Sequence, residues 1–253
     1  MIDIHCHILP GIDDGPKTME DSLNMARKAI DSGITTIVAT PHLNRNYDNT
    51  RSVILEKVEQ LNGRLKEEEI PLTVLPGQEI AIYGDIIDDI KRGIIQPLCG
   101  TQYVFIELPP NAVPMFAEKL IYDLQINQII PIIVHPERNT QIVKQPELLY
   151  KLVKNGALTQ ITASSLLRGF GKETTKLAEK LIEANLVHFI ASDAHNVGSR
   201  GFKLAEAYDR IDEAFGTDYT YLFIENAELL IRGQVVQKIQ PEHIGRKKTF
   251  GIF

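Results

Sequence analysis

Histidines and acidic residues follow short apolar runs along most of this chain. Five of its seven histidines and at least three of its carboxylates stand just after β-branched runs, where the strands of a β/α protein end. Imidazole and carboxylate groups are ligands of divalent metal ions. The residues concerned are His5, His7, His42, Glu79, Glu107, His135, Asp193 and His195. Their positions predict a metal site.

The apolar runs predict parallel strands that alternate with helices. Strands are expected at 2–4, 34–39, 72–75, 103–106, 130–134, 158–161 and 187–190. Helices are expected at 18–32, 50–68, 85–92, 114–127, 146–155, 172–185, 202–215 and 226–232. This alternation favours a single α/β domain, 1–253, whose strands close into a (β/α)7 barrel. The carboxyl ends of barrel strands converge on one mouth, which would bring the distant ligands together. An open doubly wound sheet is the alternative, but it binds ligands only near the switch in strand order.

Two pairs of residues strengthen the metal hypothesis. His5 and His7 are two residues apart at a strand end, so both face the same side, and Asp193 and His195 repeat that spacing at the last strand. The available ligands exceed what one ion can bind, which predicts two or three ions. Because the set contains no thiolate, Mn²⁺, Fe²⁺ or Zn²⁺ would suit it.

Four acidic residues leave alternatives open. Glu79 and Glu107 are costly to bury without a cation, but structural salt bridges would also satisfy them. Asp13 and Asp14 precede Gly15 in a turn shortly after the first two histidines. Aspartate before glycine is ordinary in turns, so the local pattern does not decide which of the two binds metal.

The predicted chemistry is hydrolysis of a phosphate ester. Clustered divalent ions activate a bridging water and stabilise the attacking and leaving oxygens of a displacement at phosphorus. Arg138 and Arg200 lie in loops on the predicted mouth, and guanidinium groups bind phosphate oxygens in pairs. A cysteine-nucleophile phosphatase is excluded, since neither Cys6 nor Cys99 has an arginine six residues later. Cys6 is expected to point away from the neighbouring histidines as a small buried side chain.

Charge and hydrophobicity exclude other classes of function. The net charge of -6 argues against a nucleic-acid groove, which would need a basic face. No stretch reaches the roughly 18 apolar residues of a membrane span. The first residues lack the regions of a signal peptide, so we expect a cytoplasmic protein.

The basic segment 246–253 is expected to touch an anionic membrane surface, to pack on a neighbouring subunit, or to fray.

Several short motifs together resemble those of the PHP (polymerase and histidinol phosphatase) superfamily. They lie at 5–7, 13–16, 40–42, 76–79, 135–138 and 191–196. More narrowly, the chain is similar to the manganese-dependent protein-tyrosine phosphatases encoded with bacterial capsule and exopolysaccharide synthesis genes. The likeness extends from Met1 to about Leu230, and 234–253 is the least certain part of the match.

The resemblance implies a distorted seven-stranded β/α barrel with a trinuclear site, and it favours Asp14 over Asp13. The implied ligands are His5, His7, Asp14, His42, Glu79, Glu107, His135, Asp193 and His195. Glu79 would bridge two ions, and a metal-bridging hydroxide would attack phosphorus. The residues implied in catalysis are Glu107, Asp193, Arg138 and Arg200, of which the two arginines would contact the phosphate. The implied substrate is phosphotyrosine, on a cognate bacterial tyrosine kinase.

Three other activities fit parts of the pattern. One is a small-molecule phosphoesterase of the same superfamily, for example a histidinol phosphatase. Amidohydrolases that cleave C–N bonds also begin with His-x-His on a barrel, but they usually carry a strand-end lysine, where this chain has Glu79 and Glu107. The third is a metal-stabilised scaffold that binds phosphotyrosine without hydrolysing it. No general acid is assigned, because a phenolate leaving group with a pKa of roughly 10 needs little protonation.

Overall fold

Nine strand segments and ten α-helices follow one another along residues 1–245, which the computed structural model describes. The strands are β1 Ile2–Cys6, β2 Thr36–Ala39, β3 His42–Leu43, β4 Thr73–Pro76, β5 Glu79–Ala81, β6 Tyr103–Glu107, β7 Ile130–Val134, β8 Leu158–Thr162 and β9 Phe189–Ala191. The helices are α1 Met19–Asp31, α2 Arg51–Glu67, α3 Ile86–Lys91, α4 Ala117–Ile126, α5 Thr140–Lys144, α6 Glu147–Lys154, α7 Ala163–Leu166, α8 Lys172–Glu183, α9 Leu204–Phe215 and α10 Thr217–Ile231. The basic segment 246–253 lies outside the described residues.

The strands pair in parallel, but they form two sheets. The smaller sheet has the order β1-β2-β4, and the larger has the order β3-β5-β6-β7-β8-β9. The chain leaves the smaller sheet after Ala39 and again after Pro76, and it enters the larger sheet at His42 and at Glu79. These two residues therefore begin short strands, whereas the sequence placed them after strand ends. They are direct cross-strand partners.

Pro41 and Gly77 account for the two interruptions. Pro41 has no N–H group and cannot donate a hydrogen bond to a sheet. A Cβ atom on Gly77 would lie 2.7 Å from Cγ1 of Val38, so only glycine lets the third predicted strand pass so close to the second. All seven predicted strands have counterparts, but within residues 1–245 they do not form one continuous closed sheet.

The first and last strands contact each other just beyond the sheets. Cys6 and Ala194 form a parallel bridge, and the backbone N–H of His7 donates to the carbonyl of Ala194 at 2.9 Å. The N–H of Asp193 donates to the carbonyl of His5, also at 2.9 Å. These bonds hold the carboxyl ends of β1 and β9 side by side, so the residues after β9 face the histidines of β1.

Ile4 and Cys6 are two residues apart in β1 but enter different apolar layers, because the register of β1 against β2 shifts between Asp3 and Cys6. Ile4 packs with Val38, Phe105 and Ile132 in an inner cluster that the strands enclose. Cys6 belongs to the larger cluster between strands and helices, where it is completely buried. The prediction that Cys6 points away from its neighbouring histidines is confirmed, because side chains alternate from His5 through Cys6 to His7.

All the predicted helices are present. Two short helices were not predicted, and the last helix begins earlier than predicted. Thr18 and Asp21 form a capping box at the start of α1. The short helices α5 and α7 were not predicted. The last helix, α10, begins at Thr217 and not at 226, because Phe223, Ala227 and Leu230 form a buried face against β1 and β9. No helix within residues 1–245 is long and apolar enough to cross a membrane.

Candidate metal centre

His5, in β1, and His7, just after it, point into one buried cluster at the carboxyl ends of β1 and β9. Nε2 of His5 lies 3.3 Å from Oε2 of Glu79, and Nε2 of His7 lies 3.2 Å from the same oxygen. Oδ1 of Asp193 lies 3.6 and 3.5 Å from these two nitrogens. All four side chains are buried. The ends of distant strands thus contribute to one site.

Glu79 is the side chain on which the cluster converges. Its Oε2 is also 3.1 Å from Nδ1 of His42, and its Oε1 is 2.7 Å from Nε2 of His135. Glu107 lies beyond, with Oε2 3.8 Å from Nδ1 of His42. Burial alone would raise the pKa of Glu79, but the charge of His5 and the hydrogen bond from His135 hold that pKa well below its usual value.

The two neighbouring aspartates have different surroundings. Oδ1 of Asp14 lies 3.3 Å from Nε2 of His195 and 3.5 Å from Nε2 of His42, so Asp14 faces the cluster. Asp13 instead accepts a hydrogen bond from Nδ1 of His7 at 2.7 Å. The turn alone could not separate these roles.

Five ligand-type atoms in the cluster are buried and have no hydrogen-bond partner among residues 1–245. They are Nε2 of His5, His7 and His195, Nδ1 of His42 and Oε2 of Glu79. An unsatisfied buried polar group costs about 1–3 kcal/mol, and such groups rarely gather in one place without a reason. A divalent cation binds both the lone pair of a neutral imidazole and a carboxylate oxygen. The donor set therefore fits metal ions.

Potential ligand atoms that lie within 4.8 Å of one another define three overlapping groups. The groups are His7, Asp14, His42 and His195; His5, His7 and Asp193; and His42, Glu79 and Glu107. They include every predicted ligand except His135, which contacts Glu79 directly. The arrangement provides room for more than one ion.

Three histidines are held so that Nε2 faces the cluster. Nδ1 of His5 donates to Oε1 of Gln160 at 2.8 Å, Nδ1 of His7 donates to Asp13, and Nδ1 of His195 donates to the carbonyl of Asp193 at 2.9 Å. Each acceptor is an oxygen, so the proton lies on Nδ1 and the Nε2 lone pair is free for a metal ion.

We expect Asp13→Asn to weaken metal binding by about 10- to 100-fold, the usual effect of losing the carboxylate behind a metal-binding histidine. The amide can still accept the hydrogen bond that Gly15 donates to Oδ1 at 2.9 Å, so the turn is kept while the charge facing His7 is lost. A competition titration with a fluorescent chelator measures the affinity. Asp31→Asn, at the exposed end of α1, is the matched control, and equal affinities for both variants would contradict the assigned role.

Two arginines line the rim of the cluster and share one carboxylate. Nη1 of Arg138 donates to Oδ2 of Asp193 at 2.5 Å, and Nη2 of Arg200 donates to the same oxygen at 3.2 Å. Nη1 of Arg200 also reaches Oδ2 of Asp14 at 3.3 Å. Burial would raise the pKa of Asp193, but hydrogen bonding to His7 and nearby positive charges hold it well below its usual value. Asp193 is therefore a carboxylate at neutral pH.

Glu107 has the opposite electrostatic environment. Burial, followed by repulsion from the Glu79 carboxylate, raises the pKa of Glu107 to about 7. A cation bound beside it would favour the ionised form. Burial is the larger cause of the raised pKa, and the neighbouring Glu79 carboxylate adds to it.

Two predicted site residues have unusual backbone conformations. His135 has a φ of 34° and Asp193 a φ of 53°, in the left-handed region that residues other than glycine rarely occupy. His135 directly follows β7, and Asp193 comes shortly after β9. At both positions the backbone reverses and turns the side chain into the cluster. Strain of this kind costs about 1–3 kcal/mol and is concentrated at functional sites.

Sequence reasoning did not identify three residues that touch the site. Asp13 and Gln160 orient histidines, and Phe170 lies under Arg138, whose Cζ is 4.7 Å from the centre of the Phe170 ring. Asp13 was recognisable as a candidate, although not in this role. Gln160 and Phe170 carry no pattern in the sequence that distinguishes them from ordinary strand and loop residues.

The chain is similar to known proteins over all or nearly all of its length. Residues 1–232 match the family model described as capsular polysaccharide synthesis, CpsB/CapC. The chain is 50% identical over 254 residues to the tyrosine-protein phosphatase YwqE of Bacillus subtilis (strain 168), covering 100% of both chains. It is 40% identical over 256 residues to the putative tyrosine-protein phosphatase CapC of Staphylococcus aureus, again covering 100% of both. Among solved structures it matches one from a study of YwqE from Bacillus subtilis and CpsB from Streptococcus pneumoniae, described as unique metal-dependent tyrosine phosphatases. That match has a TM-score of 0.95 and 49% identity, and it covers 97% of this chain and 100% of the other.

Proposed function

Because the chain belongs to the CpsB/CapC family of capsular polysaccharide synthesis, we propose that it is a metal-dependent tyrosine-protein phosphatase. One observation carries the proposal for this chain's own residues. Five buried ligand atoms without hydrogen-bond partners among residues 1–245 gather around Glu79, and two arginines stand at the rim. Metal ligands beside paired guanidinium groups suit a phosphate ester as substrate.

Nine residues are proposed to bind the metal ions. They are His5, His7, Asp14, His42, Glu79, Glu107, His135, Asp193 and His195. Glu79 is proposed to bridge two ions, since one of its oxygens faces three imidazoles and the other faces a fourth. The proposed metal is Mn²⁺, two or three ions per chain, with Fe²⁺ or Zn²⁺ as alternatives for the same mixed nitrogen and oxygen donors. When bound, such ions lower the pKa of a nearby water and stabilise the attacking and leaving oxygens.

Arg138 and Arg200 are proposed to bind the phosphate group. Their side chains are 28% and 34% exposed, so both can meet a ligand at the rim while they remain bonded to Asp193. A guanidinium group has five N–H donors, and each arginine therefore keeps donors for phosphate oxygens. During attack at phosphorus, the arginines would neutralise the charge on the equatorial oxygens. Glu107 and Asp193 complete the proposed catalytic set.

The proposed substrate is phosphotyrosine on a bacterial tyrosine kinase that controls capsular or exopolysaccharide synthesis, in the cytoplasm. The family description and the tyrosine phosphatases among the relatives support this choice. A phenolate leaves with a pKa of roughly 10, so the site needs less help from a general acid than it would for a serine phosphate.

We also infer that the two sheets together correspond to one distorted seven-stranded barrel, formed by a single domain. On this interpretation β2 with β3, and β4 with β5, are each one interrupted strand. The bridge between Cys6 and Ala194 then closes the circle between β9 and β1. Such a closure explains why ligands from the first and last strands lie in one cluster.

Removal and return of metal tests the proposed function. Protein stripped with a chelator is expected to lose phosphotyrosine-peptide hydrolysis, and Mn²⁺ is expected to restore more of it than Mg²⁺ does, because imidazole is a poor ligand for Mg²⁺. Parallel assays with Fe²⁺ and Zn²⁺, together with the metal content per chain, identify the ion. Circular dichroism before and after stripping controls for unfolding.

A comparison of substrates separates the alternatives. Hydrolysis of histidinol phosphate more than about tenfold faster than that of a phosphotyrosine peptide would assign the chain to the small-molecule phosphoesterases instead. Phosphotyrosine binding that persists at saturating Mn²⁺ without turnover would make it a binding scaffold. Either result would overturn the proposed function.

A further inference from the structure

A groove of about 390 Å³ opens beside the candidate metal centre and has no role in the proposal so far. Its volume lies in the range of small-ligand sites, roughly 300–1,000 Å³. Glu107, His135 and Arg138, which belong to the metal cluster and its rim, form part of the wall. Leu108, Pro110 and Phe170 contribute apolar surface to the same groove. We call this the aromatic groove.

Phe170 is the aromatic side chain of this groove, and its backbone is fixed from both sides. A Cβ on Gly169 would lie 2.9 Å from the carbonyl oxygen of Ser164, and Gly171 has a φ of 90°. The Thr174 hydroxyl donates to the carbonyl of Phe170 at 3.1 Å. Both glycines are therefore required for this turn, which holds Phe170 at the groove with 39% of its surface exposed.

Arg138 connects Phe170 to the phosphate-binding region. Its guanidinium carbon lies 4.7 Å from the centre of the Phe170 ring, and its Nη1 lies 2.5 Å from Asp193. One planar group thus contacts an aromatic ring and a carboxylate of the metal cluster. A phosphate bound by Arg138 would therefore lie near Phe170 and the other apolar side chains of the groove.

We infer that the aromatic groove binds the phenyl ring of the phosphotyrosyl substrate and that Phe170 packs against that ring. The inference rests on the proposed function and adds a specificity-determining residue to it. The groove offers both kinds of surface that this ligand needs, because Arg138 can bind the phosphate and apolar side chains, Phe170 among them, can contact the ring. Aromatic pairs with centres about 4.5–7 Å apart are stabilised beyond the area they bury. An alkyl phosphate has no ring to pack against Phe170.

A structural role for Phe170 makes a different prediction. If Phe170 served only to hold Arg138 in place, its loss would weaken the binding of every phosphate ligand to the same extent. If Phe170 contacts the substrate ring, the loss is confined to aryl ligands. The ratio between an aryl and an alkyl ligand therefore separates the two roles.

Phenylphosphonate and methylphosphonate are suitable probes, because neither is hydrolysed and they differ only in the ring. Binding of each to the Mn²⁺-loaded protein is measured by titration calorimetry. We expect Phe170→Ala to raise the Kd of phenylphosphonate about tenfold, through lost ring contact and lost apolar burial, and to change that of methylphosphonate less than about twofold. Phe170→Leu, which keeps the bulk and removes the ring face, is expected to fall between the wild type and Phe170→Ala.

Phe116→Ala is the matched control, because this phenylalanine is 42% exposed and does not line the groove. Metal content and melting temperature show that each variant is folded and loaded. An equal loss for both phosphonates, or no loss for either, would overturn the inference even if phosphotyrosine hydrolysis is normal. Because the assay needs no turnover, it decides the role of the groove separately from the test of the proposed function.

Discussion

Glu79→Gln is expected to lower phosphotyrosine turnover by at least about 10³-fold, because it removes the charge around which the metal cluster is built. Glu79 is completely buried, and its Oε2 lies 3.1–3.3 Å from nitrogens of three histidines. An amide has nearly the same shape but carries no charge, and it can turn its NH₂ group towards the imidazoles. The variant should therefore bind fewer metal ions per chain, and elemental analysis alongside the kinetics measures both effects.

Glu179→Gln is the matched control for this change. Glu179 lies on α8 and accepts a bond from Arg210 at 2.6 Å, so the same substitution there removes an acidic charge from an ion pair outside the metal cluster. Its activity is expected to stay within about twofold of the wild type, since a partly exposed ion pair away from the metal cluster contributes little. Full metal content and near-normal turnover in Glu79→Gln would contradict the bridging role and would leave the remaining residues as the metal site.

The parts of the site that the sequence predicted are those that follow from strand geometry alone. His5 and His7 share a face because side chains alternate from His5 to His7, and Asp193 comes near them because the residues after β9 lie beside the carboxyl end of β1. The hydrogen bonds that join the residues around Asp193 to His5 and His7 confirm that contact. Ligand type and strand position were therefore sufficient to locate the cluster.

The interruptions between the two sheets could not be predicted in this way. His42 and Glu79 lie together in the cluster, but they were expected behind strand ends and instead begin two short paired strands. The interruption before Glu79 depends on how closely Gly77 passes Val38. This is a contact between segments that are distant in sequence. The distinction between Asp13 and Asp14 likewise depends on which of them reaches Nδ1 of His7.

Residues without a chemical signature were missed for a related reason. Phe170 is one of nine phenylalanines, and nothing in its neighbourhood in the sequence connects it to Arg138. The contact exists because the turn at Gly169 and Gly171 brings a loop after β8 against a turn after β7. Such roles arise from tertiary packing, and periodicity and spacing carry no information about them.

Arg138→Ala is expected to lower kcat/KM for a phosphotyrosine peptide by about 10²- to 10³-fold, the usual scale for losing one charged group that stabilises a transition state. Arg138 contacts Asp193 and Phe170 at once, so it is held in one orientation before the substrate arrives. Arg138→Lys is expected to recover less than about tenfold, because an ammonium group retains the charge but cannot bind two phosphate oxygens in a plane. Steady-state kinetics on metal-loaded protein gives both values.

The metal content of Arg138→Ala distinguishes two explanations for its loss of activity. Asp193 keeps a bond from Arg200 at 3.2 Å when Arg138 is removed, so its carboxylate stays paired and the ions should remain bound. Arg210→Ala, which breaks the ion pair with Glu179, is the matched control and should leave kcat/KM nearly unchanged. A loss of activity that parallels a loss of metal would show that Arg138 supports the cluster and does not contact the phosphate. The position of Arg138 predicts a loss of activity at full metal content. The N–H groups that do not bond to Asp193 remain available to bind the phosphate.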